Sequence, residues 1–316
     1  MKCFLVTLTI YLGVCLCSPA DSFRLVGFQG QSYHPPANVE LVWAATNELP
    51  SGLWIYKVIP QEFSGAVVSN LMTLGNFNWQ DITKKADSFI PDKNLFRFLD
   101  KKDNPTRTLV VAPTFGWIEY NTDSKTSTNG VPSDTEVEKM ALDVFFKMGL
   151  DSSLLCDKHF HQSIQGRLSH DGQKLTTNVV SRGITYSRQI NGIESKNSAC
   201  FTIDFGGNSQ MTHFWLNWRN LLPYEAHPTL AQNQIIDSIK SGQAITFDWE
   251  SSPNILDGVK KISVVKINPL YFEDGGMNPL DFMYPYAKLE LVADLEGTNS
   301  VTFHLQCPIL STNSLR

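Results

Sequence analysis

The stretch "YSRQINGIES", residues 186–195, contains a turn signal between two strand-like segments. The Asn191-Gly192 dipeptide suits a type I′ turn, in which both central residues take positive φ, and it is the strongest short-range signal of a β-hairpin. The segment "ITYSRQI" precedes the turn and "ACFTIDF" follows it. The sequence therefore predicts two antiparallel strands that meet at this turn.

On either side of the hairpin, most of the chain consists of strand-like segments with three helices between them. Apolar and β-branched runs predict further strands, among them "NVELVWAA", "GLWIYKVI", "TRTLVVAPTFGWIEY", "MTHFWLNW" and "KISVVKINPLYF". Helices are predicted at about residues 60–75, 133–149 and 229–241, and the second begins with a capping-box pattern, Ser133 and Glu136. Strands and helices do not alternate regularly. The pattern therefore predicts an α+β fold of mainly antiparallel sheets, each packed by a helix.

The polar, Ser- and Thr-rich segment 121–133 is typical of a linker. It divides the chain into an N-terminal α+β domain, residues 21–125, and a C-terminal α+β domain, residues 132–310. Residues 60–120 and 132–190 both run from a helix into strands. This order is the basis for a hypothesis of two related halves.

The N-terminus has the pattern of a secretory signal peptide, which we predict at residues 1–20. Lys2 precedes an apolar run from Cys3 to Cys17, and small residues lead up to Ala20. The run is shorter than the roughly 20 residues that a membrane-spanning helix needs. We therefore expect a secreted or periplasmic/extracellular protein. An uncleaved N-terminal anchor is the alternative, and it is the only membrane attachment that we expect.

Residues around the hairpin resemble a known family. Tyr186, Arg188, Asn191, Gly192 and Ile193 match a strand-and-turn motif, and a later turn and strand end match at Gly206, Gly207, Asn208 and Trp218. Over residues ~132–308 the chain resembles extracytoplasmic PepSY-like modules, including bacterial regulators of the YycH/YycI type. The resemblance implies a non-enzymatic binding or regulatory domain and supplies no catalytic residues. Arg188 is a candidate binding residue; the alternative is a structural arginine paired with Glu194 or a backbone carbonyl.

The chain's charge argues against nucleic acid as a partner. The net charge is −5, and no dense cluster of lysine and arginine is available to neutralise phosphates. The partners that remain are a protein, or a small apolar or sugar ligand, outside the cytoplasm.

Catalytic motifs are absent from the sequence: it has no Gly-x-Ser-x-Gly, no phosphate loop and no His-Glu-x-x-His. The alternative function is a secreted carbohydrate-active hydrolase, with Glu119 beside Trp117 and Glu250 beside Trp249. Such an enzyme needs two carboxylates about 5–10 Å apart, a distance that the sequence does not give. Otherwise these tryptophans are packing residues.

No cofactor and no metal are predicted. His159 and His161 lie on the same face of a predicted strand, but no set of ligands typical of a metal site is evident around them, and a solvated pair of histidines is the more common arrangement. Cys156, Cys200 and Cys307 allow at most one disulfide after signal cleavage.

The segment 270–287 is predicted to be a long loop that touches a ligand or partner. Long loops on rigid sheets often carry function. The predicted strand that carries Trp215 and Trp218 joins the proposed surface if it proves to be a neighbour of this loop. The aromatic residues of the segment are Tyr271, Phe272, Phe282, Tyr284 and Tyr286.

Overall fold

The computed structural model describes residues 31–78, 82–86, 95–101, 106–122, 129–168, 175–246, 258–273, 280–295 and 300–310. The helices within these ranges are α1 (Gly65–Leu74), α2 (Asp134–Lys147) and α3 (Gln232–Lys240). The first strands are β1 (Gln31–Ser32), β2 (Glu40–Trp43), β3 (Gly52–Ile59), β4 (Thr83–Ala86), β5 (Phe96–Leu99), β6 (Arg107–Ala112), β7 (Trp117–Thr122) and β8 (Leu155–Leu168). The later strands are β9 (Leu175–Ile190), β10 (Ile193–Gly206), β11 (Met211–Asn217), β12 (Asn220–Pro228), β13 (Ile245–Thr246), β14 (Val259–Glu273), β15 (Phe282–Met283), β16 (Pro285–Leu295) and β17 (Ser300–Pro308).

Fourteen of these strands form one large mixed sheet. Its first wing runs β4-β5-β6-β7-β11-β10-β9-β8, and every neighbouring pair is antiparallel. Its second wing contains β1, β13, β17, β16, β14 and β2. The wings join where β10 pairs with β14 in parallel, with Ser195 opposite Tyr271. A separate three-stranded sheet has the order β12-β3-β15.

The predicted hairpin is confirmed. Asn191 and Gly192 have φ of 51° and 75°, as a type I′ turn requires, and Ile190 pairs with Ile193 on either side. The two strands continue to Ser181 and Gly206, with one irregularity in register. The two strands of this hairpin lie within the first wing, and β10 also pairs with β14 of the second wing.

Helices α1 and α2 cover one face of the first wing. In α2, Val137, Ala141 and Phe145 are buried, and the Phe145 ring lies 5.2 Å from the rings of both Phe201 and Trp218. The predicted capping box is present, since the Ser133 side chain and the Glu136 side chain each accept from the other's backbone N–H. The opposite face of the first wing is therefore not covered by α1 or α2.

Helix α3 covers the second wing. Its Ile235 and Ile239 are buried in a core with Leu289 and Phe303 of the sheet, and Leu53 of β3 joins the same core. The small sheet is thereby held against the second wing. Each core buries large aliphatic and aromatic side chains at close to zero exposure, so both wings are rigid supports.

The predicted α+β fold, in which antiparallel sheets are each packed by a helix in two related halves, is wrong. The chain is mostly strand, and one mixed sheet with parallel pairs at β10–β14 and β14–β2 replaces the separate sheets. The physical reason is that an apolar pattern indicates which residues form a strand but not which strand edge pairs with it. Here β10 pairs in parallel with β14, and the paired residues, such as Ser195 and Tyr271, are 76 positions apart in the sequence.

The predicted division at residues 121–133 stays a prediction. Strands β7 and β11 pair on either side of this segment, and residues from both sides share the core under α1 and α2. The predicted signal peptide, residues 1–20, lies outside the described residues. In the part of the chain that is described, no helix is long and apolar enough to cross a membrane.

Candidate functional site

The face of the first wing opposite α1 and α2, called the polar face below, carries polar and aromatic side chains in rows. Strand register aligns one row across five strands: His161, Gly183, Asp204, His213 and Asn121. A second row, offset from the first by two residues on each of the antiparallel strands, contains His159, Thr185, Thr202, Trp215 and Glu119. Because side chains alternate along a strand, both rows point away from the helices.

Asp204 joins two histidines in the first row. His161 Nε2 lies 2.7 Å from Asp204 Oδ1, and His213 Nδ1 lies 3.1 Å from Asp204 Oδ2. The Asp204 side chain is 13% exposed, whereas those of His161 and His213 are 40% and 35% exposed. The carboxylate therefore lies beneath two imidazoles that are open to solvent, and each imidazole keeps one ring nitrogen turned away from Asp204.

Gly183 makes this contact possible. His161 and Asp204 stand on the strands either side of Gly183, so their bond passes directly over it. A Cβ built on Gly183 would overlap both Asp204 Oδ1 and His161 Nε2. A glycine with ordinary backbone angles is thus required here for space, not for its conformational freedom.

Tryptophan rings lie beside the row of histidines. Trp215 packs on Trp117 with ring centroids 5.6 Å apart and an interplanar angle of 57°. Across the strands, Trp215 stands between Thr202 and Glu119. The Thr202 hydroxyl bonds to that of Thr185 at 2.9 Å, and Asn121 donates to Glu119. The polar face therefore combines an aromatic surface with hydroxyl, amide, imidazole and carboxylate groups on rigid strands.

The arrangement does not form a metal centre. Both oxygens of Asp204 face imidazole nitrogens, and within the described ranges no group of three His, Cys, Asp or Glu side chains has the geometry to hold an ion. What the two imidazoles offer instead is hydrogen bonding to a ligand, with their orientation fixed by the carboxylate.

Several residues singled out by sequence come together on this face. Glu119, Trp117 and Trp215 are neighbours, and His159 and His161 share a strand face as predicted. Glu250 and Trp249 lie outside the described residues, so the pairing of Glu119 with Glu250 stays untested. Asp204 and His213 were missed. An acid in the middle of the apolar segment "ACFTIDF" was the available signal.

Arg188 has a structural role in the junction of the wings. It is buried, its Nη1 donates to the Arg219 carbonyl at 2.8 Å, and its guanidinium lies 4.5 Å over the Trp218 ring. The alternative that pairs Arg188 with a backbone carbonyl is thus what the geometry favours. Trp218 is buried on the helix-covered face, away from Trp215.

The aromatic residues of segment 270–287 are divided between core and surface. Tyr271, Phe272 and Tyr286 are buried in β14 and β16, and burial raises the pKa of both tyrosines above the ordinary value. Phe282 and Tyr284 are half-buried, and Phe282 packs 4.9 Å from Tyr224 of β12. Residues 274–279 lie outside the described ranges. Three of the five predicted contact residues are therefore packing residues.

Comparison with known proteins identifies no family. No protein-family model matches the chain, and no curated protein matches it. Among solved structures, an uncharacterized protein from Eubacterium rectale aligns with a TM-score of 0.45 and 13% identity, covering 85% of each chain. A distant structural neighbour is the YpeB C-terminal domain from Bacillus megaterium, with a TM-score of 0.30, 7% identity and coverage of 77% of this chain and 99% of that one.

Proposed function

We propose that the protein is a non-enzymatic binding module that acts outside the cytoplasm and that its polar face binds a saccharide. The observation that carries the proposal is the Asp204-oriented histidine pair beside Trp215. Position outside the cytoplasm rests on the signal-peptide pattern of residues 1–20. Membership of the PepSY-like modules rests on the motif from Tyr186 to Ile193.

A saccharide fits the chemistry of this face. A pyranose has apolar C–H patches that pack on an aromatic ring and hydroxyls that both donate and accept hydrogen bonds. Trp215 supplies the ring, the imidazoles of His161 and His213 supply groups that donate or accept, and Glu119 supplies an acceptor. Because these groups stand on paired strands, little conformational entropy is lost on binding.

Binding is favoured over glycoside cleavage by the positions of the acids. Glu119 and Asp204 are separated by β11 and by two residues along the strands. With strands about 4.8 Å apart and about 3.4 Å per residue, their backbones are roughly 12 Å apart. Both Asp204 oxygens are already held by histidines. This is a poor arrangement for the two opposed carboxylates, about 5–10 Å apart, of a glycosidase.

The test is a glycan-array screen of the protein produced from residue 21, followed by calorimetric titration with the best-bound saccharide. Trp215→Ala and Asp204→Asn should each weaken binding at least tenfold, because one removes the stacking surface and the other the orientation of both imidazoles. Phe160→Ser is the matched control, since Phe160 lies on β8 between His159 and His161 but on the other face and is 39% exposed.

The outcomes separate the two functions. Saccharide binding that is lost in the Trp215 and Asp204 variants and kept in the Phe160 variant supports the proposal. An absence of binding across the array, or binding that all three variants retain, refutes it. Turnover of a glycoside panel that Glu119→Gln abolishes would establish the hydrolase alternative instead.

A further inference from the structure

A cavity of about 500 Å³ lies between α1 and the outer strands of the first wing, on the face opposite the polar face. This volume is within the usual range of small-molecule sites, about 300–1,000 Å³. Its walls are mostly apolar, and the residues used below are Gly65 and Val68 of α1, Phe96 and Phe98 of β5 and Lys84 of β4. The cavity is independent of the proposed saccharide site, because the sheet separates them.

Among the described residues that line the cavity, Lys84 is the one positively charged group. It pairs with Phe98 across the β4–β5 ladder, and its Nζ lies 3.5 Å from the Phe96 ring centroid and 5.7 Å from that of Phe98. Within the described ranges it forms an ion pair with no carboxylate. Its ammonium group rests on aromatic surface at the wall of the cavity, where a second, negatively charged partner would add to the cation–π contact.

We propose that this cavity binds an alkyl chain that ends in a carboxylate, the chemistry of a free fatty acid, with the carboxylate on Lys84. The mostly apolar walls are a poor fit for a sugar, or for the ribose and base of a nucleotide, since the several hydroxyls and ring nitrogens of these groups would lack partners there. The ammonium group favours an anionic head over a cationic or neutral one. An acyl chain packs between Val68, Phe96 and Phe98.

The two parts of the ligand contribute separately. Burial of one methylene is equivalent to about a fourfold gain in affinity, so binding should tighten by about this factor per carbon until the cavity is full. Neutralising the ammonium group should weaken binding of a carboxylate about tenfold. The same change should leave binding of the alcohol of equal chain length unaltered.

The experiment is displacement of a dansyl-labelled fatty acid from the protein produced from residue 21, with unlabelled octanoate, decanoate and dodecanoate as competitors. Dodecanol and dodecyltrimethylammonium serve as neutral and cationic probes. Lys84→Met removes the charge and keeps the stem, with Lys139→Met on the exposed face of α2 as its control. Gly65→Leu fills the cavity from a position where a Cβ meets nothing within 4 Å, with Ala66→Leu, exposed and outside the cavity, as its control.

The expected result is stepwise tightening with chain length, an approximately tenfold loss for dodecanoate in Lys84→Met, and loss of all probes in Gly65→Leu, with both controls unchanged. Urea denaturation confirms that Gly65→Leu is folded. The proposal is overturned if dodecanoate does not displace the label, if Gly65→Leu binds it as the unmodified protein does, or if dodecanol binds as tightly as dodecanoate. Binding to anionic phospholipid vesicles without binding to free dodecanoate would also overturn it.

Discussion

Gly183→Ala is the substitution that most directly perturbs the histidine pair on the polar face. The new Cβ overlaps Asp204 Oδ1 and His161 Nε2, so the bond between them has to break or the strands have to shift. Overpacking costs about 1–3 kcal/mol. Loss of the charged hydrogen bond adds about 1 kcal/mol, reduced by the 40% exposure of His161. We expect a total loss in the free energy of unfolding of about 2–4 kcal/mol from these terms.

The assay is urea denaturation followed by far-UV circular dichroism, with Gly65→Ala as the control. A Cβ at Gly65 meets nothing within 4 Å, so that substitution should change the free energy of unfolding by less than about 1 kcal/mol. In a His161→Ala background the cost of Gly183→Ala should fall by about half, because one of the two overlapping groups is gone. An equal cost in both backgrounds would show that the overlap with His161 is not the cause. A cost below about 0.5 kcal/mol in the unmodified protein, the size of ordinary surface effects, would show that the new Cβ is accommodated without strain.

Three further predictions concern other parts of the molecule. Burial alone raises the pKa of the Asp100 carboxyl, but hydrogen bonds from Thr106 and Arg107 outweigh it and hold the pKa below its usual value. Asp100→Asn should therefore lower the free energy of unfolding by about 1–2 kcal/mol at pH 7. In urea denaturation curves recorded at decreasing pH, the difference from the unmodified protein should shrink below about pH 4. A difference independent of pH would count against this. Burial raises the pKa of the Cys307 thiol to about 12, so iodoacetamide at pH 8 should modify Cys156 and Cys200 before Cys307 in peptide mass spectra, and equal rates would contradict it. Limited proteolysis should cut first within residues 121–133. The two fragments should elute together from a size-exclusion column, because β7 pairs with β11. Early cleavage inside residues 134–147 would disprove the linker.

Local signals in the sequence predicted the three helices and many of the strands, but not the sheet that the strands form, and segment 270–287, predicted as a loop, is partly strand. The turn at Asn191-Gly192 and the capping box at Ser133 depend on neighbouring residues, and both are present. The helix predicted from residue 60 begins instead at Gly65, because the Ser64 side chain accepts from the Val67 N–H and caps it there. The pairing of β10 with β14 joins distant segments in parallel, and no local pattern indicates it.

The candidate site shows the same limit. Neighbouring residues in the sequence were enough to select Trp215, Glu119 and His161 as candidates. Their alignment, however, depends on the register of β7 to β11. Asp204 is 43 residues from His161 in the sequence and bonds to it only because Gly183 between them has no side chain. Arg188 and Tyr271 were predicted as binding residues, but the junction of the two wings buries both.

Binding of a saccharide on the polar face can be tested by recording the ring ¹⁵N resonances of the histidines while the best array ligand is added. The chain has seven histidines, which supply internal controls. His161 and His213 stand on the polar face, whereas His227 lies buried on β12 and His304 lies on β17 of the second wing. If a saccharide binds on the polar face, we expect saturable shifts of the His161 and His213 resonances with a common dissociation constant, while the His227 and His304 resonances do not shift. Shifts confined to His227 or His304, with His161 and His213 unmoved at saturation, would contradict it.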